Sequence, residues 1–285
     1  MNSHPSNLRL LAIAAALSLL AGCSPVRSPG TPPPARTAAH ARPRGVAAVV
    51  TPMVAARPLE PARLAHAAWA GIDFTGVAYD GRSARLVVAD QAGGPGSRFA
   101  DAAAAGRARG ALAAVNAGFF TPAGAPLGLV VAAGEPAGAW NDASSLGSGV
   151  WHQDAAGRSS ISRRERLGRA GAAAMRELIQ AGPLLVENGR AVTGLDALKP
   201  SVRTVILWDG ATRWWLGQAS PCTLAELGRA LSACQPAGWP VRHALNLDGG
   251  RSADLWISSA LAGGPVAQRL PWNRPVRNFL ILMPR

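Results

Sequence analysis

From Ile72 onward, short apolar runs alternate with turn residues at spacings that suit strands better than long helices. Ile72 to Tyr79 and Arg85 to Ala89 read as strands joined through Asp80-Gly81, a hairpin dipeptide. The same device recurs between Pro183–Val186 and Arg190–Val192 at Asn188-Gly189, and between Val202–Trp208 and Arg213–Leu216 at Asp209-Gly210. Further strands are expected at Ala111–Val115, Leu127–Ala132, Val150–Gln153, Ser159–Ser162, His243–Leu247, Asp254–Ile257 and Phe279–Met283. Ala100–Arg109 and Ala172–Ile179 read as helices. A third runs from Thr223 to about Ala233, with Thr223 and Glu226 as a capping box and Leu224, Leu227 and Leu231 on one face. Many hairpins and few helices predict an α+β domain built on one large mixed β-sheet with a few packed helices.

The N-terminal pattern differs. Arg9 precedes an apolar run from Leu10 to Leu20 that ends in Ala21-Gly22-Cys23-Ser24. This is the layout of a secretory signal, and the run falls short of the ~20 apolar residues that span a bilayer. Leu20-Ala21-Gly22-Cys23 resembles the bacterial lipobox, which implies cleavage before Cys23, lipidation of that cysteine and anchoring in the cell envelope. Ser24 after it resembles lipoproteins sorted to the outer membrane, so the protein is expected there, facing the periplasm. Residues 23–61 are rich in Pro, Ala and Arg and read as an extended tether. The division is therefore 1–22 signal, 23–61 tether and 62–285 folded domain.

Composition sharpens what the domain is for. Of 285 residues, 48% are apolar and 16% charged; Lys+Arg number 29 against 16 Asp+Glu, a formal charge of +13. Lys199 is the only lysine, and the arginines are dispersed among Ala, Gly and Pro rather than clustered with aromatics. That dispersal, with the envelope address, disfavours a nucleic-acid partner. No phosphate loop surrounds Lys199, no dinucleotide fingerprint follows a strand, and there is neither His-Glu-x-x-His nor Cys-x-x-Cys. Gly250-Arg251-Ser252-Ala253-Asp254 misses a nucleophile elbow by one residue. A Thr223–Ala233 helix would hold the Cys222 and Cys234 Cα atoms roughly 15–18 Å apart, beyond disulfide reach, so two free thiols are predicted. Ser162–Arg166 reads as a solvated face, His243 as a structural histidine, and Trp140 beside Asn141-Asp142 as a lesser candidate for a sugar platform.

Four segments place polar residues and glycine where apolar strands end. They are Val115-Asn116-Ala117-Gly118-Phe119-Phe120, Gln180-Ala181-Gly182-Pro183-Leu184-Leu185, Val202-Arg203-Thr204, and Ala244-Leu245-Asn246-Leu247-Asp248-Gly249-Gly250-Arg251-Ser252. Strand ends hold reactive groups well, because the sheet fixes position and the loop admits substrate. In this order, with Arg274-Pro275-Val276-Arg277-Asn278 near the end, they resemble the phosphodiester glycosidase family over about residues 111–282. Two positions depart from that pattern. Ala117 replaces a glycine, and Arg251 replaces the third glycine of the Asp-Gly-Gly-Gly loop, suggesting a more anionic ligand.

The resemblance implies hydrolysis of a sugar-1-phosphodiester, here in an envelope or extracellular glycan or glycolipid. The departing phosphate monoester is a weak base, so the usual second carboxylate of glycoside hydrolysis matters less. Asp248 is the expected nucleophile or base, Arg203 the phosphate clamp, and Asn116 a third catalytic group. Gly118, Thr204, Asn246, Gly249, Gly250, Arg251, Ser252 and Asn278 are expected to contact substrate. Glu135, Asp142 and Asp254 are the candidates for a second carboxylate. No cofactor and no metal site are expected, although Asp248 and the asparagines leave a divalent cation open. The alternative reading is a non-catalytic envelope lipoprotein that binds anionic glycans or glycolipids with the same cleft.

Overall fold

A computed structural model describes residues 58–285, all within the unit Ala55–Arg285. The expected signal, Cys23 and most of the expected tether lie outside the described residues. In chain order the elements begin with β1 (Arg63–Trp69), β2 (Ile72–Asp80), β3 (Ala84–Asp90), α1 (Ala102–Arg107) and β4 (Ala113–Asn116). There follow β5 (Val130–Ala132), β6 (Glu135–Ala137), β7 (Gly149–Asp154), β8 (Ser159–Arg163), α2 (Arg164–Ala173) and β9 (Met175–Ala181). Next come β10 (Leu184–Glu187), β11 (Arg190–Ala191), β12 (Ser201–Trp208), β13 (Arg213–Cys222) and α3 (Leu224–Ala233). The chain closes with β14 (His243–Asn246), β15 (Asp254–Ile257), β16 (Val266–Arg269) and β17 (Asn278–Pro284).

The strands form three sheets rather than one. Their orders are β1-β2-β13-β12-β14-β10-β11, β16-β15-β4-β17-β3, and β6-β5-β9-β7-β8. Every pairing between these strands is antiparallel, which corrects the expected single mixed sheet. The architecture is mostly β with few helices. Some pairs are local hairpins, such as β12–β13 and β10–β11, whereas others join strands far apart in the chain, such as β2 with β13 and β3 with β17.

Several strands are apolar throughout because both their faces are covered. On β12, Ile206 faces a central core shared with Val88, Val115, Leu280 and Ile179 from the other two sheets. Its neighbours Val205 and Leu207 face the opposite way, under Leu227 and Leu231 of α3. β17 follows the same rule: Leu280 and Leu282 enter the central core, while Phe279 and Ile281 pack with Ala102 and Ala105 of α1. A two-sided strand loses polar alternation and reads as a continuous apolar run.

Two local expectations fail for identifiable reasons. The Asp80-Gly81 turn does not join a hairpin; β2 pairs with β1 and β13, whereas β3 pairs with β17 in the second sheet. Asp80 accepts from the Arg82 backbone N–H and guanidinium, so the turn forms locally while long-range pairing sends β3 elsewhere. Ala172–Ile179 is not a helix: α2 starts earlier, at Arg164, and gives way to β9 at Met175. Thus the Arg-rich stretch read as a solvated face is partly the first turns of α2, and Gly168, at φ 65°, kinks it. The α3 prediction holds, with the Thr223 and Glu226 side chains capping each other's backbone N–H. Cys222 and Cys234 are free and buried, and burial lifts both thiols to about 11.

Candidate active site

The first two sheets bring one rim together, where β4 and β14 end and β12, β15 and β17 begin. Asn116 ties this rim together. Fully buried at the end of β4, its Oδ1 accepts from the Thr204 hydroxyl at 2.7 Å and the Asp254 backbone N–H at 2.9 Å. Its Nδ2 donates to the Asp248 carbonyl at 2.6 Å. Backbone bonds complete the junction: Leu247 N–H to the Thr204 carbonyl at 2.9 Å, Asp248 N–H to the Ala117 carbonyl at 2.8 Å, and Ala117 N–H to the Asn278 carbonyl at 3.1 Å. The Asn278 Oδ1 accepts from Gly118 N–H at 2.7 Å. The Asn246 Nδ2 donates to the Gly182 carbonyl at 2.9 Å. Asn116, Gly118, Thr204, Asp248, Asp254 and Asn278 are therefore joined in one hydrogen-bonded network, and the Asn246–Gly182 pair adjoins it through Leu247.

Asp248 sits where this network opens to solvent, half-buried on the loop after β14. Its Oδ1 accepts from Gly249 N–H at 2.9 Å. Burial lifts its carboxyl from 3.8 to about 6, against hydrogen bonds from the Ser252 side chain and the Gly249 N–H, and no cation contributes. Such a group is ionised at neutral pH yet more basic than an ordinary aspartate, as a catalytic base requires. Gly249 is small for a structural reason, since an added Cβ would lie 2.7 Å from the Val202 carbonyl oxygen. Gly250 adopts φ 59°, a conformation that favours glycine. Arg251 has no such backbone demand, so the fold accepts a side chain at the position where the family pattern has its third glycine.

Arg203 packs on the Asp248 loop through its backbone, an added Cβ on Gly249 falling 3.7 Å from its Cα, but its guanidinium is engaged by main-chain carbonyls. Thr204 turns inward to Asn116, so alternation along β12 puts Arg203 on the α3 side with Val205 and Leu207. There its guanidinium donates to the Cys222 carbonyl at 3.0 Å and the Lys199 carbonyl at 2.6 Å. Two other arginines are exposed beside the loop: Arg274, whose N–H donates to the Arg251 carbonyl at 3.0 Å, and Arg251 itself.

The three candidates for a second carboxylate are elsewhere engaged or remote. Asp254 is buried with its Oδ2 on Ala102 N–H and on Arg269, both at 2.9 Å. Asp142 is exposed and paired with Arg169 at 2.6 Å, and Glu135 is exposed at the start of β6. Among the described residues, no three His, Cys, Asp or Glu side chains gather in a way that could hold a metal ion. His243 stacks on Trp208 at 5.3 Å, and Trp140 packs on the core around Val131 and Leu178.

Two residues that lie within the quoted segments, without an assigned role there, prove to be supports. Gln180, buried at the end of β9, donates to the Asn141 and Gly147 carbonyls and accepts from Leu129 and Asn141 N–H, pinning the 141–147 loop. Arg277 grips Asp90 with two bonds of 2.8 Å and donates to the Gly124 carbonyl, fixing the strand start that carries Asn278. The visible signal for each is a polar residue at the end of an otherwise apolar strand.

A sequence model of the family described as phosphodiester glycosidase matches residues 109–283. The chain belongs to the phosphodiester glycosidase family. Its match contains all five segments that meet at the Asn116 junction. Among solved structures, the catalytic domain of zebrafish N-acetylglucosamine-1-phosphodiester alpha-N-acetylglucosaminidase, auto-inhibited by its pro-peptide, is similar at 18% identity. That match has a TM-score of 0.56 and covers 81% of this chain and 85% of that one. A hypothetical protein from Synechocystis matches at TM-score 0.55 and 17% identity, over 78% of this chain and 61% of that one. An exported protein from Burkholderia pseudomallei matches at TM-score 0.51 and 16% identity, over 75% and 74%. These likenesses show a shared fold. No curated protein sequence matches the chain.

Proposed function

We propose that this phosphodiester glycosidase hydrolyses a sugar-1-phosphodiester in an envelope or extracellular glycan, with Asp248 as its nucleophile or base. The observation that carries the reading is the Asp248 carboxyl, lifted to about 6 at the junction of the family's segments and held without a cationic partner. The carboxylate attacks C1, or takes a proton from a water that does. The C1–O bond breaks with its electron pair passing to the phosphate oxygen, and a phosphate monoester departs. If the sugar is first held on Asp248, water releases it in a second step. Ser252 and Gly249 N–H orient the carboxylate, while Asn116, Thr204 and Asn278 hold the loop that presents it.

Charge on the departing phosphate falls to Arg251 and Arg274, which are exposed on adjoining loops, and Arg203 instead steadies the 199–203 entry to β12. In this reading the chain is held to the envelope through a lipidated Cys23, in the outer membrane facing the periplasm, and the tether after it supplies reach up to Pro58, where bonds to Arg82 and Ser83 begin. Asp248 meets the other acidic residue of its network, Asp254, only through that residue's backbone N–H, and a single free carboxylate also suits a protein that binds anionic glycans without cleaving them.

One experiment separates the two. The full chain is incubated with a panel of sugar-1-phosphodiesters, and free sugar and phosphate monoester are followed by mass spectrometry. Hydrolysis requires both products in equal amounts, lost in Asp248→Asn. A glycan-dependent rise in Tm with no product released establishes the binding reading instead.

A further inference from the structure

The opposite rim carries a second concave surface that the Asp248 site does not use. Tyr79, Trp214, Trp208 and His243 lie in register across β2, β13, β12 and β14. Arg203 lies near the start of β12 and Trp208 at its end, so this rim lies roughly 17 Å along the strand from the first, at about 3.3 Å per residue. The aromatic faces are already spent on one another: Trp208 and Trp214 stack at 5.2 Å and 11°, and His243 covers the other side of Trp208. Stacking of a sugar ring is therefore not what this row offers.

What it offers is donors. Trp208 Nε1 is satisfied by the Ala211 carbonyl at 3.0 Å. Neither Trp214 Nε1 nor the Tyr79 hydroxyl hydrogen-bonds to any described residue, and both residues line a cavity of about 460 Å³. That volume falls in the usual range for small-molecule sites. Arg85, Arg158 and Arg285 line it as well. A recess of about 370 Å³ sharing Arg85 and Arg285 adds Arg176. Arg158 is paired with Asp154, which also lines the recess, and Arg176 lies within electrostatic reach of the buried Glu177; Arg85 and Arg285 make no ion pair with a side-chain carboxylate among the described residues. Donor-rich walls on which guanidiniums outnumber carboxylates match an acceptor-rich anion.

We propose that this cavity is a second ligand site, which binds the phosphate of a phosphorylated sugar or of an anionic lipid headgroup. The Arg85, Arg176 and Arg285 guanidiniums hold the phosphate, and the Tyr79 hydroxyl and Trp214 Nε1 bind the polar remainder. The described chain enters the domain beside this cavity. Arg82 donates to the Pro58 carbonyl at 3.2 Å and Ser83 to the Glu60 carbonyl at 3.0 Å. Pro58 and Glu60, at the start of the described chain, are thus held at this pole.

The test uses the full chain with three probes: inorganic phosphate, glucose 1-phosphate, and vesicles of phosphatidylglycerol compared with phosphatidylcholine. Binding is read by tryptophan fluorescence and calorimetry in wild type, Arg85→Glu and Trp214→Phe. Arg85 is exposed, so its replacement leaves folding intact, and Trp214→Phe keeps the stacked ring while removing its donor. At least tenfold weaker binding in Arg85→Glu is expected, with sugar release at the Asp248 site unchanged. Response to the soluble phosphates identifies a sugar-phosphate site, and response to phosphatidylglycerol vesicles alone identifies a headgroup site. Affinity for all probes that is unchanged in both variants overturns the proposal, as does an absence of binding in the wild type.

Discussion

Asp248 and Asp254 begin and end one short loop, and burial raises the pKa of both. Their surroundings differ in the one respect that decides their roles. Asp254 has a guanidinium at 2.9 Å and the Ala102 N–H at the start of α1, so its charge is compensated and spent on the fold. Asp248 has only a neighbouring N–H and a hydroxyl, so its charge is tolerated rather than neutralised. A carboxylate that the fold has not paired remains able to act as a base on something else. In the proposed reading, the same loop therefore carries a structural carboxylate and a chemical one, separated by whether a cation is present.

The comparison can be broken most directly at Asp248. Asp248→Asn is expected to lower kcat/KM by ~10³-fold or more while the fold is kept, as read from product release and circular dichroism. Retained activity would erase the distinction. The mirror change, Asp254→Ala, leaves Arg269 and the Ala102 N–H without their carboxylate. It is expected to cost ~3 kcal/mol of stability by denaturant titration, with activity falling only as the folded fraction falls.

A pH titration sharpens the contrast. The folded Asp248 carboxyl titrates about 6, above its ordinary 3.8. Its contribution to stability is fully present below the ordinary value and is lost as pH rises through 6. Asp248→Asn should therefore gain ~2–3 kcal/mol relative to wild type between pH 3.5 and pH 8, measured by urea unfolding at each pH. The smallest effect belongs to Arg251→Gly. Stability should change by less than ~0.5 kcal/mol because the side chain is exposed, while KM for an anionic phosphodiester rises severalfold.

Legibility in the sequence followed the range of the forces involved. The β12–β13 and β10–β11 hairpins and the capped α3 rest on neighbouring residues, and Asp209-Gly210, Asn188-Gly189 and Thr223-Leu224-Ala225-Glu226 displayed them. The Asp80-Gly81 turn looked the same, yet β3 left for β17 because pairing over nearly 200 residues is invisible in a dipeptide. β9 was hidden by the Ala-rich end of α2, and its buried Glu177 and Gln180 obscured the strand pattern while serving distant backbone N–H groups. At the site, Asn116, Asp248 and Asn278 were legible because each interrupts an apolar strand end. The direction of Arg203 was not. Facing depends on which side of β12 the second sheet covers, and only Thr204 meeting Asn116 settles that.

The claim that the Asp248 carboxylate does the chemistry is tested most directly by the pH dependence of kcat/KM on a sugar-1-phosphodiester, which reports the free enzyme's essential groups. The account predicts an acid limb that bends near pH 6 and is absent from any residual activity of Asp248→Asn. A profile flat between pH 5 and 7, or an acid limb that survives in Asp248→Asn, would contradict it.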